Sequence, residues 1–325
     1  MKGTEAMERE PVAVSVCCIT YNQEAYIRKC LDSILAQKTD FRFELLINDD
    51  ASTDATPDIL REYAKAYPDI IRLTLQTENK YSQGVVILKD IVFPQASGTY
   101  LAFCEGDDFW VDDEKLQKQY DAMEREPTAA WCAHYVQCVD EQAMPMDGVT
   151  LPPAKTAFSA QTLLSCAETL EFLVRNGIQL TSYFIRRELF RGYYEQTPEF
   201  VRIAPVDDEV MVRYCAASGP MIFLPENMSC YRMKSAGSWT AENEANAPKM
   251  EQHYLAMVDT IRSFDDFTEH RYPNAIAMDL LDKEWKAASH GKHHRQMMQK
   301  KFSAYRAALP LRSRVKLLAQ AILNR

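Results

Sequence analysis

The chain has 325 residues, of which 47% are hydrophobic and 26% charged, a composition typical of a globular protein with a sizeable core. Its nine cysteines are odd in number and scattered without a CxxC pair, which argues against zinc or disulfide frameworks and fits a reducing cytoplasm. The N-terminal tail, residues 1–10, is polar, and no stretch approaches the roughly 20 apolar residues that span a bilayer.

The first half of the sequence alternates between strand and helix patterns. Continuous apolar runs predict buried strands, and apolar residues at three- and four-residue spacing predict helices. The predicted strands are 12–19, 43–47, 70–75, 100–104 and 131–139. The predicted helices are 25–37, one capped by Thr56 with Pro57 in its first turn, 85–93 and 114–125. This alternation predicts an α/β fold, a mostly parallel sheet flanked by helices.

Three of the predicted strands end in polar groups. The groups are Thr20-Tyr21-Asn22, Asp49-Asp50 and Asp107-Asp108. Ligands of such sheets bind at the carboxyl ends of the strands, so we expect the three groups to converge. Carboxylates there suit Mg²⁺ or Mn²⁺ shared with phosphates, and a solvated acidic turn is the alternative. No GxGxxG or GxxxxGK[ST] loop is present, which argues against a Rossmann dinucleotide site and a P-loop.

The second half of the sequence is less regular. Residues 143–169 contain three prolines and few periodic signals, and are interpreted as an insertion over the site that carries acceptor loops. A second acidic group, Asp207-Asp208-Glu209, precedes a predicted helix, and a strand is predicted at 221–224. Beyond a polar linker at 241–248, helices are predicted at 250–264 and 275–288.

Charge is distributed unevenly along the chain. The net charge of −9 divides into +9 for residues 292–325, which hold nine Lys and Arg and no acid, and −18 for the remainder. Val315, Leu318 and Ile322 fall at helical spacing among these bases, which predicts an amphipathic helix drawn to anionic lipid. A solvated helix face is the alternative. Nucleic acid is disfavoured because the acidic body would repel its backbone and no binding motif is present.

The motifs together resemble a known family. The segments 14–22, 48–54 and 98–108 are similar, in order and spacing, to those of the family 2 glycosyltransferases. The resemblance covers roughly 11–239 and implies a GT-A fold that uses nucleotide-diphosphate sugars. It implies a catalytic domain at 11–240, followed by a helical C-terminal region at 241–325 whose last part, 292–325, is the basic tail.

The resemblance implies a nucleotide site at the first two strand ends. Thr20, Tyr21 and Asn22 would bind the donor, with the Tyr21 ring stacked on the base; a core tyrosine at the strand end is the alternative for Tyr21. Asp50 would accept a hydrogen bond from a uracil imide, which favours a UDP-sugar. Asp49 is a further donor-site candidate, and Asp49 and Asp54 could instead be turn formers. Asn79 and Lys80, after the third strand, are also candidate donor contacts, with a solvated loop as the alternative.

The resemblance also implies a metal and a catalytic base. Asp107 would contact the ribose or the metal, and Asp108 would be the main protein ligand of Mn²⁺ or Mg²⁺. The usual motif of the family is Asp-x-Asp, and here Glu105 holds the first acidic position. Asp208 best matches the family's catalytic base and Asp207 is the second choice; acids at a helix N-terminus are the structural alternative.

Lys234 occupies a position that is commonly His in the family's Tyr-Arg loop, and would neutralise donor phosphate charge. The expected reaction is inverting transfer of a sugar to a hydroxyl of a glycan or lipid-linked acceptor, in surface polysaccharide synthesis at the inner face of a bacterial membrane. The rival interpretations are a sugar nucleotidyltransferase, whose glycine-rich basic loop is absent, and a non-catalytic sugar- or lipid-binding module. A glycosidase would leave Tyr21 and Asp50 unexplained.

Overall fold

The structure, a computed structural model, describes residues 11–153, 158–233, 243 and 245–323. Packing divides the chain into two compact units. The first consists of residues 1–197 and 211–235, and the second of residues 198–210 and 236–325. The second unit thus begins near the predicted boundary at 240, and it also includes a short segment from the middle of the chain.

The first unit is an α/β structure. Its strands are β1 Val12–Thr20, β2 Arg42–Asp49, β3 Ile71–Leu75, β4 Tyr100–Phe103, β5 Phe109–Trp110, β6 Trp131–Val139, β7 Pro145–Leu151, β8 Thr162–Leu164, β9 Phe184–Arg186 and β10 Met221–Arg232. Its helices are α1 Ile27–Leu35, α2 Thr56–Ala66, α3 Lys115–Arg125, α4 Cys166–Asn176 and α5 Arg187–Glu195, with a π-helical turn at Ile87–Val92 and single 3-10 turns at Tyr81–Gln83, Phe93–Gln95 and Leu180–Ser182.

The strands form one sheet in the order β3-β2-β1-β4-β9-β6-β10-β5, with β7 added to β6 and β8 added to β10. The run β3-β2-β1-β4 is parallel, as the alternation of strands and helices predicts, and so is the pair β6 and β10. The short strands β5, β7, β8 and β9 pair in the antiparallel sense. Because β1 is central, its side chains are buried from Val14 to Cys18, which explains its continuous apolar sequence.

The predicted cap of the second helix is wrong. Thr56 lies inside α2, whose N-cap residue is Ala55, and the backbone N–H of Thr56 donates instead to Asp54 Oδ1 at 2.9 Å. Pro57 does lie in the first turn, as predicted. The segment 143–169, interpreted as an insertion over the site, contains β7, β8 and the start of α4, and its place over the site stays a prediction. Strand β7 pairs with the preceding strand β6, and β8 pairs with the distant strand β10, a pairing that leaves little trace in local periodicity.

The second unit is helical. Its elements are α6 Glu199–Arg202, α8 Ala247–Phe267, α9 Pro273–His290, α10 His294–Met297, a 3-10 turn Lys300–Phe302, α11 Ser303–Ala308 and α12 Leu311–Leu323. Helix α7, Asp207–Ser218, begins in this unit and continues into the first. Among the described residues, no helix combines the length and the apolar character needed to cross a bilayer.

A buried carboxylate joins three parts of the parallel sheet. Glu44 of β2 is 2% exposed, and its Oε1 accepts hydrogen bonds from Ser15 Oγ of β1 at 2.6 Å and from the backbone N–H of Ser97 at 2.8 Å. Ser15 Oγ in turn accepts from the N–H of Gly98 at 2.9 Å. Arg72 Nε lies 3.1 Å from Glu44 Oε2, close enough for an ion pair without a hydrogen bond. The network fixes the entry to β4, the strand that leads to Asp107 and Asp108.

We expect Glu44→Ala to lower the free energy of unfolding by roughly 2 kcal/mol or more, because buried donors that lose their acceptor each cost about 1–3 kcal/mol. Urea unfolding measures the change. Glu62→Ala is the matched control, since Glu62 is exposed and pairs with the exposed Arg28, and it should change little. Equal changes in the free energy of unfolding for the two substitutions would show that the Glu44 network does not stabilise the fold more than a surface ion pair does.

Candidate active site

The polar ends of β1, β2 and β4 meet, as the parallel topology predicts. The N–H of Asp50 donates to the carbonyl of Thr20 at 3.0 Å, and the N–H of Gly106 donates to the carbonyl of Ile19 at 3.0 Å. A side chain at Gly106 would overlap Gln23 and Thr20, so only glycine allows the acidic loop to pack this closely. The convergence of the three groups at one edge of the sheet is therefore confirmed.

The loops after β1 and β2 are tied to each other. The N–H of Asn22 donates to Ser52 Oγ at 2.8 Å, and Asn22 Oδ1 accepts from the N–H of Thr53 at 2.8 Å. Asn22 has a φ of 52°, a left-handed conformation that asparagine tolerates better than most residues. The loop leaves the Tyr21 side chain 45% exposed beside the acidic groups. An exposed aromatic ring is what stacking on a nucleotide base requires.

Asp50 organises the segment that contains Asn79 and Lys80. Its Oδ1 accepts from the N–H of Lys80 at 2.8 Å, and its Oδ2 from the N–H of Tyr81 at 3.0 Å. Asn79 Oδ1 closes the turn by accepting from the N–H of Ser82 at 2.7 Å. Each carboxylate oxygen of Asp50 retains a second lone pair, so the predicted contact with a base stays compatible with these bonds. The structure adds a second role for Asp50, which is to bring the 79–80 segment to the site.

Asp49 and Asp54 are used within the loops. Asp49 is buried, and it accepts a hydrogen bond from the N–H of Ser52 at 3.0 Å and another from the Ser52 hydroxyl. Burial raises the pKa of the Asp49 carboxyl. Asp54 Oδ2 accepts from the N–H of Glu24 at 3.0 Å. These contacts favour the turn-forming alternative for both residues, and donor binding by Asp49 stays a prediction.

Asp108 is a buried acid with one unsatisfied oxygen. Its side chain is 1% exposed, its Oδ1 accepts from the N–H of Arg232 at 2.9 Å, and its Oδ2 has no hydrogen-bond partner among the described residues. Burial raises the pKa of the Asp108 carboxyl well above its ordinary value, and the charges of Asp107 and Glu105 raise it further. A buried carboxylate oxygen without a donor, next to other acids, is suited to a cation.

The described residues contain no cluster of three or more His, Cys, Asp and Glu side chains arranged as a complete metal site. Mg²⁺ is usually held by one or two protein carboxylates together with substrate phosphates and waters, so a complete protein cage is not required. Asp108 and the adjacent Asp107 meet that description. The residues present therefore fit a divalent cation that is completed by a phosphate ligand.

Arg232 positions the acidic loop. Its side chain is buried, its Nε donates to the carbonyl of Asp107 at 3.0 Å, and its Nη1 donates to the carbonyls of Asp140 and Glu141 at 3.0 and 2.5 Å. The guanidinium also lies 4.4 Å from the ring centre of Tyr26, a cation–π distance. The sequence places Arg232 within the Tyr-Arg motif, but it does not indicate that this side chain fixes the main chain of the metal loop.

The remaining predicted site residues are Asp207, Asp208 and Lys234. Asp207 and Asp208 begin α7 and belong to the second unit, where Glu209 forms an ion pair of 2.8 Å with Lys283. Asp208 Oδ1 accepts from the N–H of Glu209 at 2.8 Å. The predicted phosphate contact, Lys234, lies outside the described residues. The assignment of Asp208 or Asp207 as catalytic base stays a prediction.

The fold and the acidic strand-end site define a GT-A type of glycosyltransferase. Residues 15–165 match the family described as Glycosyl transferase family 2. The uncharacterized protein Rv1520 of Mycobacterium tuberculosis is 36% identical over 273 residues, which cover 82% of this chain and 72% of that protein. The putative teichuronic acid biosynthesis glycosyltransferase TuaG of Bacillus subtilis is 30% identical over 180 residues, or 54% of this chain and 69% of the relative. The chain belongs to glycosyl transferase family 2.

Solved structures share the fold. TarS 1-349 of S. aureus in complex with UDP superposes with a TM-score of 0.56 at 17% identity, covering 96% of this chain and 80% of that one. The mannosyltransferase PcManGT of Pyrobaculum calidifontis, in complex with GDP-Man and Mn2+, gives a TM-score of 0.51 at 18% identity, covering 98% of this chain and 88% of that one. The predicted family and fold are both confirmed.

We expect Asp108→Asn to make the metal-free protein at least as stable as the wild type at neutral pH. The folded chain keeps Asp108 protonated to a higher pH than the unfolded chain does, because its pKa is raised on folding. Stability in the absence of metal should therefore fall as the pH rises from the ordinary to the raised pKa. Asparagine does not ionise, so this part of the pH dependence should disappear. Urea unfolding of both proteins between pH 4 and 8, with a chelator present, measures the difference.

Asp69→Asn, at an exposed position, is the control and should leave the pH dependence of stability unchanged. A variant of Asp108 that is much less stable than the wild type at every pH would show that the carboxylate stabilises the fold, and would contradict the cation interpretation.

Proposed function

We propose that the protein transfers a sugar from a nucleotide-diphosphate donor, with UDP favoured, to an acceptor hydroxyl with inversion at the anomeric carbon. The observation that carries this proposal is the convergence of an exposed Tyr21, the carboxylate of Asp50 and the buried, half-satisfied carboxylate of Asp108 at one edge of the sheet. An aromatic ring, an acceptor for a base and a cation site are the three groups that a nucleotide diphosphate needs.

The donor would lie across the ends of β1, β2 and β4. Tyr21 would stack on the base, and Asp50 would accept from the uracil imide while it keeps Lys80 at the site through the backbone bond of 2.8 Å. The complexes of the solved relatives support a nucleotide donor, since TarS has been solved with UDP-GlcNAc and PcManGT with GDP-Man.

Asp108 would hold a divalent cation through Oδ2, with Asp107 beside it, while Arg232 keeps the loop in position through its bonds to Asp108 Oδ1 and the Asp107 carbonyl. A bound Mn²⁺ or Mg²⁺ would stabilise the charge that develops on the departing nucleotide diphosphate. The Mn2+ in the PcManGT complex supports this assignment. The hydrogen bond from the N–H of Arg232 to Oδ1 fixes the orientation of the carboxylate, and Oδ2, which has no donor among the described residues, would be available to the cation.

Asp208 would act as the general base that takes the proton from the acceptor hydroxyl as it attacks the anomeric carbon. It lies in the first turn of α7. The Glu209–Lys283 ion pair holds the start of that helix within the second unit. Asp207, one residue earlier, is the alternative base.

We propose a glycan or lipid-linked acceptor, in surface polysaccharide synthesis on the cytoplasmic side of the membrane. The name of the relative TuaG, which refers to teichuronic acid, supports an envelope polymer. All nine cysteines lie in the described part of the chain and are free, which supports a reducing compartment.

Thermal unfolding with UDP, GDP or CDP, each with and without Mn²⁺, tests the donor and the metal. We expect UDP with Mn²⁺ to raise the melting temperature, since a ligand at 100 times its dissociation constant adds about 2.7 kcal/mol of stability. The shift should require Mn²⁺ and should disappear in Asp108→Asn, whereas the exposed-site variant Asp69→Asn should retain it. A metal-independent shift, or no shift with any nucleotide, would contradict the proposal.

A second experiment tests the base. We expect Asp208→Asn to lower kcat by about 10²–10⁴-fold, the usual contribution of a general base, without changing the shift produced by UDP and Mn²⁺. The assay follows UDP release from a UDP-sugar across a panel of glycan and lipid-linked acceptors. Asp207→Asn is the matched control and should retain most of the activity. The reverse result would move the base to Asp207, and full activity of both variants would exclude a carboxylate base here.

A further inference from the structure

Helix α12, Leu311–Leu323, carries an apolar stripe that is exposed. Leu311, Val315, Leu318 and Ile322 are 73%, 60%, 48% and 55% exposed, and their spacing of four, three and four residues places them on one face of the helix. From the helical rise, the stripe is about 16 Å long. A surface helix normally turns its apolar face to the protein core, so an outward stripe of this length needs an explanation.

The helix is attached to its own unit through a different face. Leu317 is 5% exposed and belongs to a small core with Ala288 and Met297, next to Trp285 and Leu309. At about 100° per residue, Leu317 lies roughly 130° around the helix from the centre of the exposed stripe. The helix therefore has two apolar faces. Leu317 packs against the rest of the second unit, and the stripe of four side chains on the other face stays exposed.

Cations flank the exposed stripe. Arg312 and Lys316 lie one turn apart on one side of it, both are exposed, and neither forms an ion pair within the described part of the chain. Arg314, on the other side, donates to the carbonyls of Ala307 and Leu309 and keeps its charge exposed. No acidic residue occurs between residues 292 and 325. The surface thus presents a narrow apolar strip between positive charges.

An anionic lipid surface fits this pattern better than a second copy of the chain. Aliphatic side chains can enter the acyl boundary while the long cationic side chains reach the headgroups. Four side chains are a small fraction of the roughly 20–30 residues on each side of a standard protein interface, so the stripe alone would not support a stable dimer. Continuous positive charge selects anionic headgroups.

We propose that α12 is a membrane-surface helix, which lies in the plane of an anionic bilayer with Leu311, Val315, Leu318 and Ile322 inserted and Arg312, Arg314 and Lys316 at the headgroups. This function goes beyond sugar transfer and does not depend on it. A single helix with four inserted aliphatic side chains gives reversible binding that salt weakens.

Sedimentation of the full chain with vesicles tests the proposal. We expect binding to vesicles of phosphatidylglycerol and phosphatidylcholine, at least about tenfold weaker binding to pure phosphatidylcholine, and a steep loss of binding with added NaCl. The double variant Val315→Gln/Leu318→Gln should weaken binding by about tenfold or more. Arg312→Gln/Lys316→Gln should have a similar effect at low salt and a smaller one at high salt.

Matched controls separate the stripe from general changes of surface. Leu189→Gln/Leu255→Gln removes two aliphatic side chains that are 43% and 49% exposed elsewhere, and Lys249→Gln/Arg262→Gln removes two exposed cations outside the tail. Both controls should bind vesicles as the wild type does. All four sites are exposed, so the variants should keep the wild-type circular dichroism and melting temperature.

Four results would overturn the proposal. The wild type could fail to bind anionic vesicles, or bind neutral and anionic vesicles equally. The stripe variant could bind as the wild type does. Sedimentation equilibrium could show a dimer that Val315→Gln/Leu318→Gln converts to monomer, which would assign the stripe to a second copy of the chain.

Discussion

The buried carboxylate of Asp108 is the constraint on which the site depends. Removing a carboxylate from water beside Asp107 and Glu105 is unfavourable unless a proton or a cation neutralises it. The surrounding structure is arranged to maintain this position: Gly106 lets the loop pack against β1, and Arg232 holds the loop by its main chain. The fold thus keeps an unfavourable charge in place, and binding of a metal with a nucleotide diphosphate would relieve it. A buried carboxylate that destabilises an otherwise well-packed part of the fold is typical of a functional site.

Much of the fold was predictable because the first half of the chain is locally consistent. The apolar runs of β1 and β2 are continuous because both faces of these strands are covered, and α1 and α2 have ordinary helical spacing. Parallel strands then bring their carboxyl ends together, so the convergence of Thr20, Asp50 and Asp107 followed from topology alone. The family resemblance supplied the roles of these residues. Those roles come from the motif, and the geometry of the residues is compatible with them.

The features that escaped prediction depend on contacts between distant residues. Glu44 looks like an outward-facing acid in a strand, yet it is buried and accepts hydrogen bonds from Ser15 and Ser97. Arg232 looks like one residue of a motif, yet its guanidinium bridges three main-chain carbonyls. The strands β7 and β8 are stabilised by pairing with β6 and β10, more than by their own composition. For Glu44, Arg232 and β8 the decisive partner lies tens of residues away, where periodicity and capping signals give no information. Strand β7 instead pairs with the strand just before it.

The uneven charge of the chain has a consequence for membrane binding. An anionic surface that attracts the +9 tail must repel the remainder, which carries −18. Attraction of the tail and repulsion of the acidic remainder would act in opposite directions. Affinity for the membrane would therefore come from α12, and the acidic remainder would be kept from close approach. Under the proposed function, the carboxylate-lined site would stay accessible to a soluble nucleotide donor, and the enzyme would remain near an acceptor held at the membrane. Because both forces decay within about 8–10 Å at physiological salt, the balance between them is local and reversible.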